Sequence, residues 1–191
     1  MNDSCLAIER AFKELVQEKP YRSISVSDIC ERACLSRKSF YANYHAKEDI
    51  VLRIFIDDAV RPLRDINALF SQSQGRELYR LIYQKIYERA YEDKAFYRAL
   101  IGPMKGSDDT FIRVATKAIY DFNMELLSSR ATAKDAQKMD YVAYFFAASQ
   151  AMLIQKWIYD GFVYTPEELA ALYDEMTQSY WLSTFDRSSS L

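Results

Sequence analysis

Apolar side chains recur at Ile8, Phe12, Leu15 and Val16, with Glu9, Arg10, Lys13, Glu14 and Gln17 between them. That spacing predicts an amphipathic helix over residues 4–18, ended by Lys19-Pro20. In ISVSDICERA, Ser25 is a good N-cap with Asp28 three residues on. Ile24 and Ile29 flank them as a hydrophobic staple, so a helix over about 26–33 follows, burying Val26, Ile29, Cys30 and Ala33. The same start then repeats, with Ser36 as N-cap and Leu35 and Phe40 as staple, so a second short helix begins near Arg37. A third start falls at Ala46 or Lys47, with Glu48 and Asp49 in its first turn, and the pattern runs to about Phe70 with a kink expected at Pro62.

Helical periodicity continues to the end of the chain. Leu78, Ile82, Ile86 and Ala90 mark one helix, Ala95, Phe96, Ala99 and Leu100 a short one, and Phe111, Val114, Ala118, Phe122 and Leu126 another. The longest covers about 134–160 through Met139, Val142, Phe146, Leu153 and Trp157, with Gly161 as its C′ residue. Thr165, Pro166 and Glu168 open the last as N-cap, N1 and N3, and Leu169, Leu172, Met176 and Phe185 carry its apolar face; the tail DRSSSL is expected to fray. The fold class is all-α, with about nine helices. Four Gly and four Pro in 191 residues agree, since an all-β chain needs far more turn residues.

Two short helices joined at Ala33, Cys34 and Leu35 are the sequence form of a helix-turn-helix. At 100° per residue, Phe40 and Tyr44 on the second helix point toward the first, while Lys38, Tyr41, Ala42 and His45 point away with Arg37 on the flank. Charge sharpens this picture only locally. The chain is nearly balanced at net −2, and residues 1–50 hold eight basic and eight acidic side chains. Yet no acid occurs from Arg32 to Lys47, a window that also holds Arg37, Lys38 and the single histidine, His45. A short polar helix face of this kind fits a B-DNA major groove. Arg37 and Lys38 would reach base edges, and Ser39, Tyr41 and Lys47 would reach phosphates, with Ser25 and Ser36 adding contacts. The full candidate DNA-binding set is Ser25, Ser36, Arg37, Lys38, Ser39, Tyr41, Asn43, Tyr44, His45 and Lys47. The alternative is a solvated helical hairpin with chance clustering of charge.

Residues 8–55 resemble the DNA-binding domain of TetR-family transcriptional regulators, through AFKELV, SISVSDICERACLS and SRKSFYANYHAKEDIV. Phe40, Tyr41, Tyr44, Lys47 and Glu48 form the most specific piece; KAFYRALIG and IQKWIYDGFVYTPEELA are weaker matches to C-terminal regions of the family. The resemblance implies a homodimer on a palindromic operator, most often a repressor, and a division into a DNA-binding domain over 1–46 and a dimerisation and effector-binding domain over 47–191. It implies DNA contacts from Arg37, Lys38, Ser39, Tyr41, Asn43 and Lys47, supported by Ser25 and Ser36. Two departures stand out. Cys34 occupies a turn position where the family usually has Gly with positive φ, and Lys38 stands where a small residue is common.

The remaining chemistry is sparse. His45 has no nucleophile motif around it, and Cys30 and Cys34 straddle a helix end without further ligands, so no catalytic, metal or cofactor site is expected. A redox role for Cys34 remains a further reading. Three cysteines suggest no disulfide framework, and acids near the N-terminus argue against a signal peptide, so a cytoplasmic location is expected and no membrane partner. The C-terminal helices are rich in aromatics. Tyr83, Tyr97, Phe111, Tyr120, Phe146, Gln150 and Trp157 line either an effector cavity or plain core. Ala143, Ala147 and Ala151 form a small-residue stripe that, with Leu172 and Met176, makes either a dimer seam or internal packing. Two other readings stay open: a co-regulator acting mainly through a protein partner, and a helical enzyme or carrier.

Overall fold

The computed structural model describes residues 3–69, 75–101, 108–128 and 136–185, and side chains over 3–65, 80–101, 108–125 and 137–177. The Gly102–Ser107 stretch, Leu78, Leu126, Phe185 and the DRSSSL tail, in whole or in their side chains, lie outside that description. Ten helical segments occur among the described residues: α1 (Asp3–Glu18), α2 (Val26–Arg32), α3 (Arg37–Tyr41), α4 (Lys47–Phe55), α5 (Arg61–Leu69), α6 (Gly75–Glu92), α7 (Lys94–Ile101), α8 (Thr110–Ser128), α9 (Ala136–Tyr159) and α10 (Pro166–Phe185). A π-turn over Ile56–Val60 joins α4 to α5, so these two form one rod and the described residues make nine rods without a strand.

The N-terminal helices close on one small core. Ile8, Phe12, Ile29, Phe40 and Ile50 are each fully buried there, one or more from every helix of α1–α4. The helix starts are fixed as the hydroxyl and carboxylate spacing dictates. Asp28 N–H donates to Ser25 Oγ at 3.2 Å while Ser25 N–H donates to Asp28 Oδ2 at 2.7 Å, a complete capping box. Ser39 N–H donates to Ser36 Oγ at 3.1 Å. Thr165 and Glu168 repeat the box at the start of α10.

The turn between α2 and α3 closes as a Schellman motif. Leu35 N–H donates to the Cys30 carbonyl at 2.9 Å and Cys34 N–H to the Glu31 carbonyl at 3.1 Å. Cys34 takes φ 55°, so the left-handed conformation survives with a side chain where glycine is the easy residue. α9 ends the same way at Gly161, φ 88°, where an added Cβ would also stand 2.9 Å from Arg98 Nη2.

The chain accommodates Pro62 by a change of helix type. The rod widens to a π-turn just before it, with Arg61 N–H donating to the Ile56 carbonyl. Proline has no N–H for the carbonyl four residues back and its ring crowds that carbonyl, so the extra residue relieves the conflict. The turn buries Asp58, which accepts from the Tyr97 hydroxyl at 2.8 Å and from Arg89 Nε at 3.1 Å.

In the C-terminal half α8 lies along α9 and α10 along α6. One continuous core unites both halves. Phe12 on α1 meets Phe96 on α7 edge-on at 6.4 Å, and Phe55 on α4 meets Phe111 on α8 at 5.9 Å. Ion pairs reinforce the junction: Lys13 with Asp93 at 2.6 Å and Arg22 with Asp108 at 3.2 Å. No described helix is long and apolar enough to cross a membrane, and no described group of His, Cys, Asp and Glu could hold a metal ion.

Candidate nucleic-acid interface

α3 is only five residues long, and its hold on the core is aromatic. Phe40 is fully buried, with the Tyr44 ring 5.8 Å from its own and the Tyr41 ring 5.4 Å away, edge-on. This anchoring turns the opposite face outward. Ser36, Arg37, Lys38, Tyr41 and His45 are exposed there, Tyr41 to 54%, with Ser25 exposed at the α2 cap. Ser39 is half-buried, its hydroxyl 3.0 Å from that of Ser36. The Arg37 guanidinium donates to Ser27 Oγ on α2, a partner the sequence pattern did not single out. The signal for it was a hydroxyl two residues past the Ser25 cap, on the outer face of the first helical turn. Asp28, beside that cap, has its carboxyl held well below the usual range by the Ser25 N–H and hydroxyl and by Lys19.

Three of the DNA-binding candidates have their side chains engaged within the chain, Tyr44 on the inward side where the helical projection puts it and Asn43 and Lys47 against expectation. Tyr44 is 6% exposed and its hydroxyl donates to Glu9 on α1 at 2.8 Å, so it braces α3. Asn43 Nδ2 donates to the Ser39 carbonyl at 2.8 Å, and its Oδ1 accepts from the Cys5 thiol at 3.2 Å. The Lys47 ammonium donates to the carbonyls of Tyr21 and Ile24 at 2.8 and 3.0 Å. Burial pushes the pKa of Lys47 down. Arg32, counted in the acid-free window, is taken up by Glu18 and Glu14 of α1 at 2.7 and 3.3 Å. The outward cationic surface is therefore Arg37 and Lys38, flanked by hydroxyls.

The C-terminal candidates do not converge on one cavity. Tyr97 bonds Asp58, and burial with that carboxylate raises its phenol pKa far above the usual range. Phe111 packs on Phe55, the Trp157 indole N–H donates to the Tyr164 carbonyl at 2.8 Å, and Tyr120 donates to Asp140. Phe146 is buried beside the Phe145 ring. Tyr83 and Gln150 each lie beside the Tyr173 hydroxyl. The alanine stripe is internal packing: Ala143, Ala147 and Ala151 are at most 1% exposed within a single chain. Leu172 is half-buried and Met176 exposed. The open face of α9 is instead Tyr141, Phe145, Met152 and Tyr159, each more than half exposed and spaced by multiples of a helical turn.

A short outward helix held by a capped partner defines a helix-turn-helix protein, helical throughout its described residues. Two matches to known families make the class specific. The tetR family of bacterial regulatory proteins matches residues 8–54, and a transcriptional regulator C-terminal region of that family matches residues 79–179. The chain belongs to the TetR family and is a transcriptional regulator, not an enzyme. One relative is the HTH-type dhaKLM operon transcriptional activator DhaS of Lactococcus lactis subsp. lactis (strain IL1403), 33% identical over 118 residues. That match takes in 60% of this chain and spans 59% of the relative. The solved structure of a dihydroxyacetone kinase operon activator DhaS has the same fold, with TM-score 0.55 and 20% identity over 93% of this chain and 95% of that one.

Proposed function

We propose that this protein binds a two-fold-symmetric operator as a homodimer, with α3 of each copy in successive major grooves. The observation that carries this reading is the exposed face of Arg37, Lys38 and Tyr41 between two capped helix starts. Arg37 and Lys38 read base edges, while Tyr41, Ser36 and Ser25 hold phosphates. The second copy docks on the apolar face of α9 at Tyr141, Phe145, Met152 and Tyr159, with Met176 of α10. A signal taken up by the C-terminal helices shifts the balance between DNA-competent and incompetent states, acting through the rod that runs from α4 into α5.

Selection of bound fragments from the source genome with purified protein tests the reading. The expected result is a palindromic motif bound at nanomolar concentration with a steep salt dependence. Equal affinity for scrambled DNA would overturn it.

The direction of regulation has a specific pointer. Both named relatives are operon activators, which supports activation over the repression that the family resemblance suggests. Reporter output from the selected promoter, with and without the regulator gene, decides the sign. DNA binding that appears only after a second protein is added would favour the partner-dependent reading.

A further inference from the structure

Arginines elsewhere in the chain answer carboxylates. Arg22 pairs with Asp108, Arg32 with Glu18, Arg53 with Asp57, Arg64 with Glu125 and Arg89 with Asp58. Arg37 differs. Among the described residues its guanidinium meets no carboxylate, and its hydrogen-bond partner is the neutral Ser27 Oγ on α2. A carboxylate would orient the side chain and also cancel its charge; a hydroxyl orients it and leaves the charge in place. The lean toward α2 is felt at Cys30 as well, where burial raises the thiol pKa and the Arg37 charge partly offsets it.

The atom engaged decides what remains for DNA. A guanidinium holds five N–H donors in one plane, and they make two edges of paired donors, one from Nε and Nη2 and one from Nη1 and Nη2. Nη2 gives one hydrogen to each edge. Nη2 is the atom that donates to Ser27, so one edge is used and the other stays whole. Two parallel N–H donors match the O6 and N7 acceptors of guanine in the major groove, and no other base shows two acceptors there. Both ends of the Ser27–Arg37 contact sit on fixed backbone. The Ser25–Asp28 capping box sets the first turn of α2, and the bond from Leu35 N–H to the Cys30 carbonyl sets α3 against α2. An arginine held this way loses less rotamer freedom when it meets a base.

We propose that Ser27 is a positioning residue for Arg37, occupying one edge of the guanidinium so that the other edge reads a guanine in each half-site. The proposal rests on the operator reading above and adds the base that Arg37 selects and the residue on which that selection depends.

The selected operator, varied one base pair at a time and titrated with the full chain by fluorescence anisotropy, tests this. Arg37→Ala is expected to erase a preference for guanine at one base pair of each half-site, about ten-fold in the wild type. Ser27→Ala is expected to cut that preference at least about three-fold, with the melting temperature and salt slope held because no charge is lost. Ser27→Thr, which keeps the hydroxyl, is expected to restore it. The double variant Ser27→Ala with Arg37→Ala should lose no more than Arg37→Ala alone. The proposal falls if Arg37→Ala spares every guanine or if Ser27→Ala keeps the wild-type preference. It falls too if Ser27→Ala weakens all sequences equally, the behaviour of a phosphate contact. Side-chain NMR of the DNA-free protein keeps the two readings apart: the Arg37 N–H hydrogens are expected to exchange faster with water in Ser27→Ala and not in Ser27→Thr. If they do while the wild type ignores DNA sequence, the operator reading fails and takes the guanine with it. If they do not while the wild type prefers the operator, the positioning role alone fails.

Discussion

The Lys47 ammonium lies 4.2 Å above the centre of the Tyr21 ring while donating to the Tyr21 carbonyl at 2.8 Å. It thereby ties the start of α4 to the 3-10 turn Tyr21–Ser23 ahead of α2. Lys47→Ala is expected to lower stability by about 2–3 kcal/mol through lost charged hydrogen bonds and the ring contact. Chemical denaturation measures the loss. The salt slope of DNA binding should stay close to the wild-type value, because the ammonium is held by protein carbonyls.

Lys38→Ala should behave in the opposite way. Its side chain is exposed on α3. Operator affinity is expected to fall about ten-fold, equivalent to about 1.4 kcal/mol, with the melting temperature unchanged. Tyr41→Phe should likewise weaken binding without unfolding. Fluorescence anisotropy across a salt series, paired with thermal melts, separates the two classes of effect.

Cys34 holds φ 55° against the preference of any residue with a Cβ. Cys34→Gly is expected to stabilise the chain by about 0.5–1 kcal/mol, the left-handed penalty relieved less the entropy glycine adds to the unfolded state. Cys34→Val should destabilise it, because a β-branched residue fits this conformation worst. A stability order of Gly above Cys above Val checks the turn geometry directly.

Asp28 supplies a pH test of the α2 cap. Its folded pKa is depressed, so its contribution is fully present above the ordinary aspartate value near 4 and is lost as pH falls through the lower folded value. The difference in melting temperature between wild type and Asp28→Asn should therefore be constant from pH 7 to about 5 and shrink below about pH 4. A difference that grows on acidification would contradict the capping box.

Phe145→Glu on the open face of α9 should raise the dimer dissociation constant about 30-fold or more, about 2 kcal/mol, while each chain stays folded. Ala147→Leu, on the buried stripe, should instead destabilise the fold by about 1–3 kcal/mol through overpacking. Sedimentation and melting together distinguish the faces.

Much of this was readable before any coordinates. Ser25, Ser36 and Thr165 announced helix starts because a capping hydroxyl works within three residues of its partner. The positive φ at Cys34 came instead from the resemblance, which puts Gly at that turn position. What escaped the sequence depends on distant segments. Nothing around Lys47 reveals that two carbonyls from residues 21 and 24 would arrive beneath it. α9 is apolar on two faces, and periodicity alone does not say which one meets α8; the small alanines took the inner seam and the large aromatics the outer.

The π-turn over Ile56–Val60 is one residue more than a regular helix would use. Each residue of helix is worth 100° of rotation. The wider turn absorbs that residue, so deleting a single position there would let the screw run true and leave Leu63 and everything beyond it in phase with the helices now beneath, while returning Pro62 to the carbonyl it now avoids. The joint thus keeps both halves of the rod in one phase, and a residue lost elsewhere in the rod, where no wide turn takes up the change, would re-aim one end of the protein relative to the other.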